Sequence, residues 1–202
     1  MDDRAMAGAA ASAAPARLAV ASPEAGEDEA LMVAFGAGEA PAFDMLYERY
    51  RGPVYRFFAR QLRVEDAQEA HQDTWLRVIR ARERYRPTSS FRSYLFTIAH
   101  NVLTDLWRRQ GRRPADAAVD PDELVGRGDP VGESERAELV DQFFALLAEL
   151  PVEQREAFVL REDAGLSNEQ IAEVTGVGVE TVRSRIRYAV RKLKGGMASH
   201  GQ

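Results

Sequence analysis

Residues 167–194 read SNEQIAEVTGVGVETVRSRIRYAVRKLK, and this stretch decides the fold of the rear of the chain. Ser167 followed three residues later by Gln170 has the form of a capping box, so a helix starts at Asn168. The apolar spacing carries it to about Val174. Thr175-Gly176-Val177-Gly178 then breaks it, and Gly176 suits a positive φ. A last helix runs from about Val179 to Lys194. Ala172 is small where two helix backbones must approach, and Val182 and Ile186 lie on a face that packs back on Ile171 and Val174. The pattern predicts a helix-turn-helix. The other face of the last helix carries Arg183, Arg185, Arg187, Arg191, Lys192 and Lys194 against Glu180 alone. A basic amphipathic helix by itself is often a solvated surface. Joined to a capped helix, a small residue and a glycine turn, it points to a DNA major groove, where arginine forks pair with guanine edges or phosphates.

Moving outward, helical spacing places apolar faces at 139–150 and again from Pro151 through Leu160, ending near Gly165. Upstream lies a composition shift. Residues 114–133 are rich in Asp, Pro, Gly and Ala, with Asp116, Asp120, Asp122, Glu123 and Asp129 against Arg127, and read as a flexible acidic linker. Before it comes a second helical block. A short helix is expected around Leu31, Met32 and Phe35, then one opened by Pro41 and interrupted at Gly52-Pro53, where a kink or break is expected. A third starts near Glu65-Asp66 and carries Ala67, Ala70, Trp75 and Val78. A fourth, capped by a serine, runs from Phe91 to Trp107 and ends in Arg108-Arg109-Gln110-Gly111-Arg112-Arg113.

Composition narrows the function classes. The 202 residues include no cysteine, which excludes disulfides, thiolate metal sites and cysteine nucleophiles. The three histidines, His71, His100 and His200, form no metal or triad spacing, and no glycine-rich phosphate loop is present. No catalytic residue, metal or cofactor is assigned, and an enzyme is not expected. The net charge of −5 argues against nucleic acid until the charges are located; they segregate sharply. The Ala-rich residues 1–26 read as a disordered tail and not a signal peptide, and no apolar run is long enough to span a bilayer. A cytoplasmic protein is expected.

The fourth helix carries a pattern of its own: Ser90-Phe91-x-x-Tyr94-Leu95-x-x-Ile98-Ala99-x-Asn101, followed by the arginine cluster. Rings beside arginines suit single-stranded nucleic acid, where bases stack on aromatics for roughly 1–3 kcal/mol each. The same rings also suit a core. Trp107 reads as core, whereas Phe91 and Tyr94 fit either role. Upstream, residues 65–77 put acids and amides on an exposed helical face, which alone reads as solvated surface.

Taken together, these motifs resemble the extracytoplasmic-function group of the sigma-70 family, from about Asp28 to Lys194 apart from the linker. AFDMLYERYRGPVYRF looks like region 2.1, EDAQEAHQDTWLRVIR like region 2.2, SFRSYLFTIAHNVLTDLWRRQGRR like regions 2.3 and 2.4, and 150–194 like region 4. The resemblance implies an all-α fold with two small helical domains, a region 2 bundle at 27–113 and a region 4 helix-turn-helix at 134–196, joined by the linker and followed by a short tail at 197–202. It implies a promoter-recognition subunit whose partners are the RNA polymerase core (β′ coiled coil and β flap), promoter DNA and an anti-sigma factor. Asp66, Glu69, Gln72, Asp73 and Arg77 would touch polymerase. Phe91, Tyr94, Asn101, Arg108, Arg109, Arg112 and Arg113 would lie by the unpaired −10 strand. Arg161, Ser167, Asn168, Glu169, Arg183, Ser184, Arg187, Tyr188 and Arg191 would contact the −35 duplex. The linker is expected to thread the polymerase channel as a nucleic-acid mimic. A sigma-like decoy that binds only an anti-sigma factor, and a one-component repressor, are the alternatives; the intact basic face weighs against the first, and the lack of a dimer seam or sensor pocket against the second.

Overall fold

The computed structural model describes residues 26–111 and 134–199, and among them it is all α. The N-terminal tail, the acidic linker, Arg112, Arg113 and the last residues lie outside the described part.

The front block begins with α1 (Glu27–Gly36). Its acids are structural ties. Asp28 is buried and accepts hydrogen bonds from the Tyr50 hydroxyl and the Arg49 guanidinium, and Glu29 accepts from the backbone N–H of Phe91. Burial, and next the bond to Asp28, push the Tyr50 phenol up to about 12. In this way α1 is fastened to both α2 (Ala40–Ala59) and α4 (Phe91–Arg109).

Where a kink or break was expected at Gly52-Pro53, the chain does not break: α2 is one helix with Pro53 inside it. Proline removes one N–H and crowds the preceding turn. Pro53 is itself buried between Tyr50 and Val54, so packing against the core outweighs the missing bond. The third helix, α3 (Val64–Ala81), lies between α2 and α4 and buries Ala67, Ala70, Thr74, Trp75 and Val78. A 3-10 turn at Arg82–Arg84 leads toward α4. There Ser90 is the expected cap, its hydroxyl accepting from Ser93 N–H at 3.1 Å.

The rear block comprises α5 (Ser134–Ala148), α6 (Val152–Glu162), α7 (Asn168–Thr175) and α8 (Val179–Ser199). At its centre Arg155 is fully buried and donates to the Ala148 carbonyl at 3.1 Å, satisfying the end of α5; burial pulls its guanidinium down to about 10. Helix α8 runs past the expected end at Lys194 and through Gly195-Gly196. Gly196 lies close against Leu146 of α5, where a larger residue would collide. Gly196 is therefore a packing site.

The blocks do not stand apart. Helix α4 packs on α7 and α2 on α6, and the buried apolar residues of both blocks form one cluster.

Candidate nucleic-acid interface

The helix-turn-helix forms as its residues predict. The Ser167 hydroxyl accepts from Gln170 N–H at 3.2 Å, and the Gln170 side chain accepts from Ser167 N–H at 2.9 Å. Gly176 adopts φ 68°, and Val177 N–H returns to the Ala172 carbonyl. Ile171, Val174 and Val182 are buried between α7 and α8, with Ile186 packed on them. This burial fixes which face of α8 points outward.

That outward face carries Arg183, Arg187, Tyr188 and Arg191, all exposed, with Ser184 and Arg185 half-buried beside them. Tyr188 is 47% exposed, and the guanidiniums of Arg187 and Arg191 lie 5.4 and 5.3 Å from its ring centroid. Both guanidiniums thus lie within cation–π range of the ring. Arg183 is held by Glu180 at 2.6 Å, with Glu169 at 3.8 Å. Glu169 is held below the usual carboxylate range by hydrogen bonds at the start of α7, first from its own N–H and then from Ser167, with Arg183 and Arg161 adding attraction. Arg161 donates to the Asn168 side chain at 2.7 Å, bracing the entry to α7. Of the sequence-assigned duplex set, Arg183, Ser184, Arg187, Tyr188 and Arg191 thus share α8, while Arg161, Ser167, Asn168 and Glu169 cluster where α7 begins.

In the front block the assigned residues scatter by burial. Phe91 is fully buried and packs against Tyr50, Tyr85 and Tyr94. In this arrangement its ring has no free face for a base. Tyr94 is half-buried, its ring 4.9 Å from that of Tyr85, and burial raises its phenol. Asn101, Arg108 and Arg109 are exposed, Arg108 pairing with Asp105 at 3.2 Å. Trp107 is 4% exposed and part of the core.

On α3, Glu69 and Gln72 are exposed, Asp66 accepts from Gln110 at 3.2 Å, and Asp73 pairs with Arg77 at 3.0 Å; Arg77 also reaches Asp105 at 3.3 Å. Amid this polar face Leu76 is 47% exposed, an apolar knob that sequence reasoning passed over. Its signal was its absence from the stripe that carries Trp75 and Val78.

A further group of polar residues joins the two blocks. Arg60, at the C-cap of α2, and Arg56 of α2 reach Asp163 at 3.1 and 3.7 Å. His100 of α4 and Glu156 of α6 are 2.6 Å apart. Arg92 donates to the Gly165 carbonyl at 3.4 Å, and Gln170 to the Ser90 hydroxyl at 3.0 Å. These partners are distant in sequence, and no local motif announces them. Their effect is to place the start of α7 over the start of α4.

Comparison with known proteins bears on the whole arrangement. The sigma-70 region 2 family matches residues 46–113 and the sigma-70 region 4 family residues 141–193. The ECF RNA polymerase sigma-E factor of Haemophilus influenzae is 32% identical over 168 residues, covering 79% of this chain and 89% of that protein. ECF RNA polymerase sigma factor SigE of Mycolicibacterium smegmatis is 34% identical over 163 residues, which cover 79% of this chain and 63% of that longer protein's length. Among solved structures, CnrH in complex with the cytosolic domain of CnrY superposes with a TM-score of 0.63 at 25% identity, covering 86% of this chain and 98% of that one.

Proposed function

This chain belongs to the extracytoplasmic-function group of the sigma-70 family, and on that premise we propose how it divides promoter recognition between its two helical blocks. It is a sigma factor, a subunit that binds core RNA polymerase and directs initiation at promoters. The observation that carries this reading is the order of the two sigma regions on one chain, with the rear one offering an exposed, arginine-flanked helix.

In this reading the front domain, 27–113, holds polymerase through the exposed face of α3 and captures the opened −10 strand along α4. The rear domain, 134–196, lays α8 in the −35 major groove. Arg187, Tyr188 and Arg191 contact bases or phosphates there, and Arg161 with the start of α7 supports the DNA backbone. Leu76 joins Gln72 and Glu69 in the polymerase contact. Melting is driven by binding of unstacked bases and not by nucleotide hydrolysis, so the chain carries no catalytic step of its own. Sigma factors are in general non-enzymatic initiation factors, and the bond-making chemistry belongs to polymerase.

Helix-scale geometry adds one requirement. With α7 covering the start of α4, the blocks must separate before Phe91 and Tyr94 can meet a strand, and polymerase core is the agent that spreads them. An anti-sigma protein is the further partner we propose. No described helix is long and apolar enough to cross a membrane, and we place the protein in the cytoplasm with its polymerase. Run-off transcription tests the reading: core polymerase plus this chain should give a discrete transcript from a promoter that core alone ignores. No transcript, and no co-elution with core, would reject it.

A further inference from the structure

Several arginines of the front block pair with carboxylates of that same block. Arg49 pairs with Glu27 and Asp28, Arg51 with Glu48, Arg77 with Asp73 and Asp105, and Arg82 with Glu83. Arg56 and Arg60 differ: the carboxylate they share, Asp163, belongs to the rear block. Arg56 lies in the last turn of α2 and Arg60 caps its C-terminus four residues on, so the two present one face. Arg92, from the first turn of α4, meets the same α6–α7 turn through the Gly165 carbonyl. The fit is close, for a side chain at Gly165 would press on the Arg92 guanidinium, and Gly165 also has a positive φ of 66°.

Two oxygens of one carboxylate bridge two guanidiniums, and a carbonyl oxygen engages a third. An oxyanion with several acceptor oxygens would be held the same way, and phosphate is the group that arginine forks match best. When the blocks part, the three cations lose these acceptors together, beside the strand-facing helix. Arg60 also loses the Phe144 ring, which lies 4.2 Å away in the closed form.

We propose that Arg56, Arg60 and Arg92 are a binding strip for the phosphates of the opened DNA strand, and that the Asp163–Gly165 turn occupies this strip as an internal anion until the blocks separate. The inference rests on the sigma-factor reading and adds to it a phosphate site and a self-closing contact. Closure and strand binding then compete for the same guanidiniums. Asp163 holds the chain shut, and DNA phosphate holds it open.

The test uses the full chain and a fluorescein-labelled 20-nucleotide single strand of mixed sequence, followed by anisotropy across a salt series. Asp163→Asn should tighten strand binding about 5-fold by removing the competitor. The triple variant R56Q/R60Q/R92Q should cancel that gain when combined with Asp163→Asn, and should lower the slope of log affinity against log salt by about 2, as expected for three lost phosphate contacts on single strands. Because the chain has no cysteine, Arg80→Cys and Glu173→Cys accept a dye pair cleanly, and the distance between them should lengthen when the oligonucleotide is added. Circular dichroism checks that each variant keeps its helices. Unchanged affinity in Asp163→Asn, or a salt slope equal to that of the parent in the triple variant, overturns the proposal. Co-elution with core polymerase is measured in parallel on the parent chain. Its failure there would sink the sigma-factor reading, whereas failure of the strip alone leaves that co-elution intact.

Discussion

Helix α8 and helix α4 are both amphipathic, both carry arginine and tyrosine, and yet they face opposite conditions. Tyr188 of α8 is 47% exposed between two guanidiniums, open to a groove as it stands. Phe91 of α4 is fully buried, and the start of that helix lies under α7. Duplex DNA offers a finished surface, and a preformed helix face can read it directly. An unpaired strand exists only after melting, so a site for it has no use before polymerase is present. With α8 assigned to duplex and α4 to the opened strand, as proposed, the contrast is between a duplex reader left open and a strand reader kept covered.

Breaking the open side should have the largest effect. Charge reversal at Arg183 and Arg187 removes two cations from the groove and adds two anions. Since one good bidentate contact is worth about 1–3 kcal/mol, run-off transcription should fall at least about a hundredfold, while helix content stays the same. Next, Tyr94→Ala should weaken binding of a forked template with an unpaired strand by about 1–3 kcal/mol, and should leave binding to a purely duplex −35 fragment unchanged. Loss of both would mean that the two helices do not divide the work. Ser167→Ala strips the cap from α7 and should cost about 1 kcal/mol, read as a lowered Tm of the rear block, since the capping bond is local.

The smallest effect expected is a pH dependence of closure through His100. Burial draws its pKa down, but the hydrogen bond and charge of Glu156 outweigh this and raise it. A raised pKa in the closed form means that the contact stabilises closure fully below the histidine's ordinary value of about 6.5, and that this stabilisation is lost as pH climbs through the raised value. The closed fraction, read by energy transfer between labels on the two blocks, should fall from mildly acidic to mildly alkaline pH. Glu156→Gln should flatten the profile.

How much of this was legible depended on the distance between partners. The helix-turn-helix was readable because its determinants sit within a few residues of one another: Ser167 with Gln170, Ala172 with Gly176, Val182 with Ile171. Two local rules failed where tertiary packing intervened. A kink or break was expected at Gly52-Pro53, and α2 runs on through it as one helix with Pro53 buried in the core. The last helix was expected to end near Lys194, yet α8 continues through Gly195-Gly196, where Gly196 passes close to Leu146. Phe91 shows a different limit, since an aromatic beside arginines fits core and stacking platform alike, and only burial separates them. The clasp between the blocks was invisible. Arg60 and Asp163 are 103 residues apart and His100 and Glu156 are 56 apart, with no periodicity linking them.

The most direct measurement locks the closed form. With Ser90→Cys and Gln170→Cys, a short reducible bis-maleimide joins the two blocks where those side chains now meet. Cross-linked protein should give no run-off transcript with core polymerase, should still bind a −35 duplex fragment, and should recover transcription once reductant cuts the bridge. Full transcription from the cross-linked chain would contradict the claim that the strand reader must be uncovered before a promoter can open.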